Sequence, residues 1–221
     1  MVDIFDEVSE DLRHDQAVAL AKRYGGMLIA ACVLVLAGVG AQQAYSAWQA
    51  KQAQKAATQY LAVTQAADQQ GAQITADQAV QTAGALTKFA ATAPEGYKTL
   101  ADLRAAGLYA ASGKLDQANA LWTQVAQDGS ADKLLRDLAT LLWAQHALGA
   151  VPDTDIQARL QPLVASDNPY HALAREVQAL TYLHQGNPDM AKALFSELAS
   201  DPTAPVGVRE RAQGLLAQLN G

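Results

Sequence analysis

The chain has 221 residues, half of them apolar but only 6% aromatic, and a formal net charge of −6. That charge divides about evenly between the first 24 residues and the rest, so no basic face awaits nucleic acid and that class of partner is excluded. The abundant alanine predicts closely packed helices, and the ~170 residues after the apolar stretch are enough to bury one core.

Residues 1–24 read as an acidic head on the cytoplasmic side of a membrane. Phe5, Val8 and Leu12 recur at three- and four-residue steps, which suits either a face that docks a cytosolic partner or a loosely ordered tail.

Residues 25–45 are expected to form a transmembrane helix. Gly25 to Ala41 contains no charge and no amide, and at 1.5 Å per residue it covers roughly 25 Å. Adding Tyr24 and the residues through Tyr45 reaches the ~30 Å of a bilayer's hydrocarbon core. Lys22, Arg23 and Tyr24 at one end, and Tyr45 and Trp48 at the other, are candidate interface anchors. Three readings compete with a spanning anchor. One is a buried core helix, which an uncharged run of this length opposes. Another is a cleaved signal sequence using Val39 and Ala41, opposed by the acidic head and by a helix that continues past that site. The third is lipidation at Cys32, opposed because most of the apolar stretch follows that residue.

Arg13, Lys22 and Arg23 precede the span, while only Lys51 and Lys55 follow within reach. This bias predicts a cytoplasmic N-terminus and an exported, periplasmic C-terminal domain. Cys32 is the single cysteine and falls inside the span, so the domain forms no disulfide in either compartment.

Residues 46–71 read as an extended linker helix that Gly71 stops. A second helix starts at Thr75, with Asp77 in its first turn, and is expected to end at Pro94 and Gly96. No strand signal appears, because valine and isoleucine are scattered rather than alternating with polar residues.

An internal repeat follows. Ala106, Tyr109, Gly113, Leu115, Ala118 and Trp122 are matched by Ala179, Tyr182, Gly186, Pro188, Ala191 and Phe195, each pair 73 residues apart, or two periods near 36. Between them lies a degenerate unit, Leu134 to Leu148 and Asp155 to Val164, with Gly149 and Pro152 at its turn. Three helical hairpins thus fill residues 98–200, and the helix over 75–93 with its predecessor offers a fourth. Small Ala106 and Ala118 let antiparallel helices approach, Gly113 permits the turn, and Trp122 fills the gap toward the next hairpin. This order resembles the tetratricopeptide pattern, although the early Trp is missing and Val125 and Leu198 stand where a small residue is usual. A generic antiparallel bundle is the competing architecture.

The head adds a second resemblance. Phe5, Asp6, Glu7, Val8, Glu10, Leu12, Arg13, Asp15 and Lys22 to Gly25, taken with Gly96, Tyr97, Leu100, Leu103 to Ala106 and Leu135 to Ala139, resemble bacterial tetratricopeptide-like proteins related to the ancillary subunit of the SecYEG translocon. The resemblance implies an all-α fold in which an N-terminal transmembrane helix precedes a tetratricopeptide-like α-solenoid over residues 72–221. It also implies a single-pass inner-membrane protein that works with translocon subunits, periplasmic chaperones and exported client proteins, and meets lipid through one helix.

In such solenoids the first helix of each hairpin lines the concave side. The alignment assigns that side to Leu100, Leu103, Gly107, Ala110 and Ala111, then Leu173, Glu176, Leu180, Leu183 and His184. The set is mainly apolar and lacks the lysine and asparagine that clamp a terminal carboxylate, so it suits apolar segments or a partner helix. The same leucines also suit packing on a neighbouring helix.

Enzymatic readings find no support. His14, His146, His171 and His184 show no metal-ligand spacing, and neither a nucleophile elbow nor a phosphate loop occurs. Asp153 and Asp155 are expected to cap the following helix. No catalytic residue, metal, cofactor or small-molecule substrate is therefore expected. The expected function is that of a membrane-anchored adaptor or chaperone-like subunit at the translocon. The alternative is a scaffold joining cell-envelope complexes in wall synthesis or division.

Overall fold

The computed structural model describes the backbone of residues 4–220 and the side chains of residues 22–220, apart from Leu28, Ala66, Gln70 and Ala72. The docking reading of Phe5, Val8 and Leu12 lies outside the described residues. All described elements are helical: α1 (Ile4–Gln70), α2 (Ala76–Ala90), α3 (Glu95–Ala111), α4 (Leu115–Gln127), α5 (Lys133–Ala147), α6 (Asp153–Leu160), α7 (His171–His184), α8 (Pro188–Ser200) and α9 (Val206–Asn220). The chain divides into two compact units, one ending at Gln54 and the other beginning at Lys55.

The first unit is the N-terminal part of α1. One described helical stretch, Lys22–Gln65, is long and apolar enough to cross a membrane, and none of its most apolar window is buried. Met27, Ile29, Val33, Leu34, Val35, Leu36 and Val39 all stand exposed, Leu34 at 72%. Burying a side chain of this kind is worth roughly 1.5–3 kcal/mol, so the row is costly in water and favourable in lipid.

The second unit is a stack of helical hairpins in two layers. The C-terminal part of α1, then α3, α5, α7 and α9, form one layer, and α2, α4, α6 and α8 form the other. Each helix packs chiefly on its chain neighbours, and α3, α5, α7 and α9 also touch in succession. The fourth hairpin is present. Tyr60 and Val63 of α1 pack on a core of Leu86, Ala101, Ala105 and Leu108, and the Tyr60 ring lies 6.2 Å from both Phe89 and Tyr97.

Local chemistry sets the boundaries. Thr75 and Gln78 form a capping box at the start of α2, each side chain accepting the other's backbone N–H. Contrary to expectation, Gly96 does not help to end α2: that helix closes at Ala90, Pro94 is the N-cap of α3, and Gly96 lies in the first turn of α3. Proline suits a helix start because its missing N–H would have no partner there. Asp132 and Asn187 cap α5 and α8. The hairpin turns fall at Gly113, Gly149 and Gly186, with φ of 74°, 76° and 73°. At Gly113 its N–H donates to the Ala110 carbonyl and that of Lys114 to Tyr109, and Gly186 and Asn187 repeat the pattern on Leu183 and Tyr182. This is the Schellman closure, which requires a residue comfortable at positive φ.

Two further cores continue the stack. Trp122, Leu141, Trp143, Ile156, Leu160, Leu163 and Val177 form one, and Phe195, Leu198, Val208 and Ala212 form the other. Ala106, Ala118, Ala139, Ala179 and Ala191 are fully buried at the crossings, where a methyl group lets the backbones approach. Trp122 bridges toward the next hairpin as expected, its ring stacked 4.9 Å from that of His146 on α5.

Candidate protein-binding groove

Helices α5, α7 and α9 expose a groove of about 500 Å³ lined by Gln145, Leu148, Glu176, Val177, Leu180, Arg211 and Leu215. Leu148 follows α5, where the chain leaves the helix, while Glu176, Val177 and Leu180 recur at helical spacing along α7. Arg211 and Leu215 are one turn apart on α9. The walls are therefore aliphatic, with a single charged pair among them.

That pair is bidentate. Arg211 donates from Nε to Glu176 Oε1 at 2.6 Å and from Nη2 to Oε2 at 2.7 Å. The bond to Glu176 raises the Arg211 pKa above its already high ordinary value. Glu176 is buried, so its charge is tolerated because the fork of the guanidinium matches both oxygens. A similar link joins the start of the same layer, where Arg104 on α3 donates to Asp68 on α1 at 2.5 Å.

The residues assigned by alignment to the concave side fall into three groups. Glu176 and Leu180 line the groove. Leu103, Ala110, Leu173 and Leu183 are half-buried against the cores. Leu100, Gly107 and Ala111 on α3 are exposed away from it, and so is His184, whose Nδ1 lies 2.9 Å from Asp153 Oδ2. Reading the repeat only to residue 200 left out Arg211 and Leu215, and the degenerate middle unit hid Gln145 and Leu148. The available signal was opposite charge at one repeat's spacing, since Asp68 and Arg104, and Glu176 and Arg211, lie 36 and 35 residues apart.

Other polar clusters hold the scaffold. Asp153 and Asp155 do not cap α6 through their side chains; they lie in its first turn, after Pro152, and Asp153 is drawn to His184 instead. Their charges still favour that helix end. Lys98 donates to Asp128 at 2.6 Å, and this bond, helped by Ser130, holds the Asp128 carboxyl well below the usual range. Asp102, close by on α3, is pushed up to about 6 by burial. Among the described residues no group of three His, Cys, Asp or Glu is placed to hold a metal ion.

The proposed interface anchors sit at the ends of the apolar stretch. The Arg23 guanidinium is 5.7 Å from the Tyr24 ring, Tyr45 and Trp48 are stacked with centroids 6.1 Å apart, and all four residues and Lys22 are exposed.

A family model described as a tetratricopeptide repeat-like domain matches residues 20–209, a span that takes in the apolar helix and nearly all of the hairpin stack. No curated protein and no solved structure matches the chain. With hairpins that turn at Gly113, Gly149 and Gly186 over a layered helical core, the chain belongs to the tetratricopeptide repeat-like family.

Proposed function

We propose that the chain is a single-pass inner-membrane protein with its head in the cytoplasm and its solenoid in the periplasm, and that it serves as a protein-binding adaptor or chaperone-like subunit beside the Sec translocon. Tetratricopeptide-like repeats mediate protein–protein interaction, so the domain's work is to bind protein. The observation that carries the reading is the groove between α5, α7 and α9. Leu148, Leu180 and Leu215 offer apolar surface, and the one charged pair within it is already satisfied internally. An aliphatic segment of a translocon subunit, a periplasmic chaperone or an emerging chain fits those walls without leaving a charge unpaired. The exposed row from Met27 to Val39 supports the anchor, since lipid removes the cost that water imposes on it. The basic side chains before the span support the orientation.

The test places a photoreactive residue at Leu180 or Leu215 in the full-length protein in intact membranes, with Thr123 as a control outside the groove. Capture of translocon subunits, periplasmic chaperones or exported chains from the groove positions, and not from Thr123, is the expected result. Capture of cytosolic proteins alone, or identical products from all three positions, would overturn the proposal.

A further inference from the structure

We propose that the cleft between α4 and α6 is a second binding site, in which Arg159 holds the carboxylate of an aspartate or glutamate side chain on a partner protein. The cleft measures about 200 Å³, has α5 as its floor and shares no lining residue with the groove among α5, α7 and α9. The site therefore stands apart from the function assigned to that groove.

The partners of the other arginines single this one out. In the second unit, Arg104, Arg175 and Arg211 pair with Asp68, Glu197 and Glu176, while Arg136 and Arg209 donate to backbone carbonyls. Arg159 does neither. Among the described residues its one hydrogen-bond partner is Thr123, whose Oγ1 accepts from Nη1 at 3.4 Å, so most of the five guanidinium donors stay available. Asp155 stands four residues earlier on the same helix, the favourable order for an ion pair, yet none forms. The guanidinium lies instead 3.8 Å over the ring of Trp143 on α5. The buried indole covers one face of the cation and fixes its plane, so the charge is in place before a ligand arrives and less ordering opposes binding.

The remaining walls supply donors and no acid. The Thr123 hydroxyl proton and the exposed Gln127 amide make no hydrogen bond among the described residues, and the lining contains neither Asp nor Glu. Asp128, next to Gln127, is already held by Lys98 and Ser130. Ala126 and the Trp143 ring offer apolar contact to the methylene groups that precede a side-chain carboxylate. One fixed cation beside neutral donors matches a planar, singly charged carboxylate, with which a guanidinium makes two parallel bonds. A phosphate carries more charge than this cation balances, and a chain end would bring its own side chain and peptide group into a space suited to one side chain. Thr123 stands in this cleft and outside the groove, so photoreactive capture there and at Leu180 reports two different surfaces.

The experiment uses full-length protein in detergent micelles, with 5-fluorotryptophan at its three tryptophans and the Trp143 signal assigned by Trp143→Phe. The probe is an alanine peptide with both ends blocked and one central glutamate. It is expected to move the Trp143 fluorine resonance saturably, leave those of Trp48 and Trp122 in place, and bind about tenfold or more tighter than the same peptide with glutamine. That comparison needs no altered side chain at the site. Arg159→Gln is expected to erase the preference, and Arg159→Lys, which keeps the charge but not the fork, to weaken the glutamate peptide about fivefold. A Trp143 signal that both peptides move alike, or that neither moves, would overturn the site, as would an unchanged preference in Arg159→Gln. Tighter binding of a glutamine peptide with a free C-terminus, or of inorganic phosphate, would overturn the assignment to an acidic side chain.

Discussion

Arg211 holds Glu176 side-on through both carboxylate oxygens, at 2.6 and 2.7 Å, across the floor of the groove. The partners are unequally placed: the Glu176 side chain is 8% exposed, whereas that of Arg211 is 55% exposed. Removing Arg211 leaves a buried carboxylate alone, but removing Glu176 frees a cation that reaches water. Arg211→Leu is therefore expected to cost about 2 kcal/mol and Glu176→Leu distinctly less, with the Glu176→Leu/Arg211→Leu double variant recovering most of the loss. Urea unfolding of the full chain in detergent measures all three. Equal costs for the two single variants would show that the pair is screened like a surface contact.

The two Schellman turns allow a cleaner test. Gly113 and Gly186 sit at φ of 74° and 73°, and an added Cβ at either meets nothing within 4 Å. Any cost of alanine there is conformational rather than steric, and Gly113→Ala and Gly186→Ala are each expected to lose about 1 kcal/mol. Gly107, inside α3, has open space at its Cβ and no positive φ, so Gly107→Ala is expected to gain about 0.5–1 kcal/mol. Thermal melting of the three variants checks the opposite signs. A loss at Gly107 like that at Gly113 would mean that its exposed face contacts something that alanine obstructs.

Much of the stack was legible because its signals are local. Ala106, Gly113, Ala118 and Trp122 act within one hairpin, and their counterparts around Gly186 repeat the same packing at a readable interval. The groove was less legible because it depends on which helices become neighbours. Arg211 follows the last unit that retains the repeat's landmarks, and its role appears only when α9 lies beside α7. The end of α2 was misplaced for a related reason. Pro94 and Gly96 both interrupt helical sequence, but a proline also opens a helix, and only the turn after Ala90 decides between the two uses.

Trp122 separates packing from hydrogen bonding. Its side chain is 1% exposed and stacked on His146, yet its Nε1–H is buried without a hydrogen-bond partner. Phenylalanine retains most of the apolar surface and removes that donor. Trp122→Phe is therefore expected to cost less than about 1.5 kcal/mol, whereas Trp122→Ala, which empties the junction between α4 and α5, costs about 3–5 kcal/mol. Chemical denaturation followed by far-UV circular dichroism distinguishes the two, because neither measurement depends on the indole itself. A penalty for phenylalanine close to that for alanine would mean that the N–H has a partner in solution.

Asp102 gives the solenoid a defined pH response. It is 4% exposed, Gln124 Nε2 donates to it at 3.4 Å, and burial raises its pKa from 3.8 to about 6 despite the opposing charge of Lys98. Because the folded value lies above the unfolded one, ionisation favours the unfolded chain. Well below pH 3.8 the group is protonated in both states and costs nothing; the penalty grows as pH rises through 3.8 to about 6, and then stays constant. A tenfold change in proton affinity is worth about 1.4 kcal/mol, and with allowance for Lys98 and solvent the penalty at pH 7.5 is about 1–2 kcal/mol. Asp102→Asn keeps an acceptor for Gln124 and removes the charge, so it is expected to gain that amount at pH 7.5 and nothing well below pH 3.8. Unfolding free energies at pH 4.5, 6 and 7.5 test the sign, since the gain over wild type must increase across that series. A constant gain would assign the effect to packing, and a loss at pH 7.5 would show that Lys98 stabilises the ionised carboxylate more than burial opposes it.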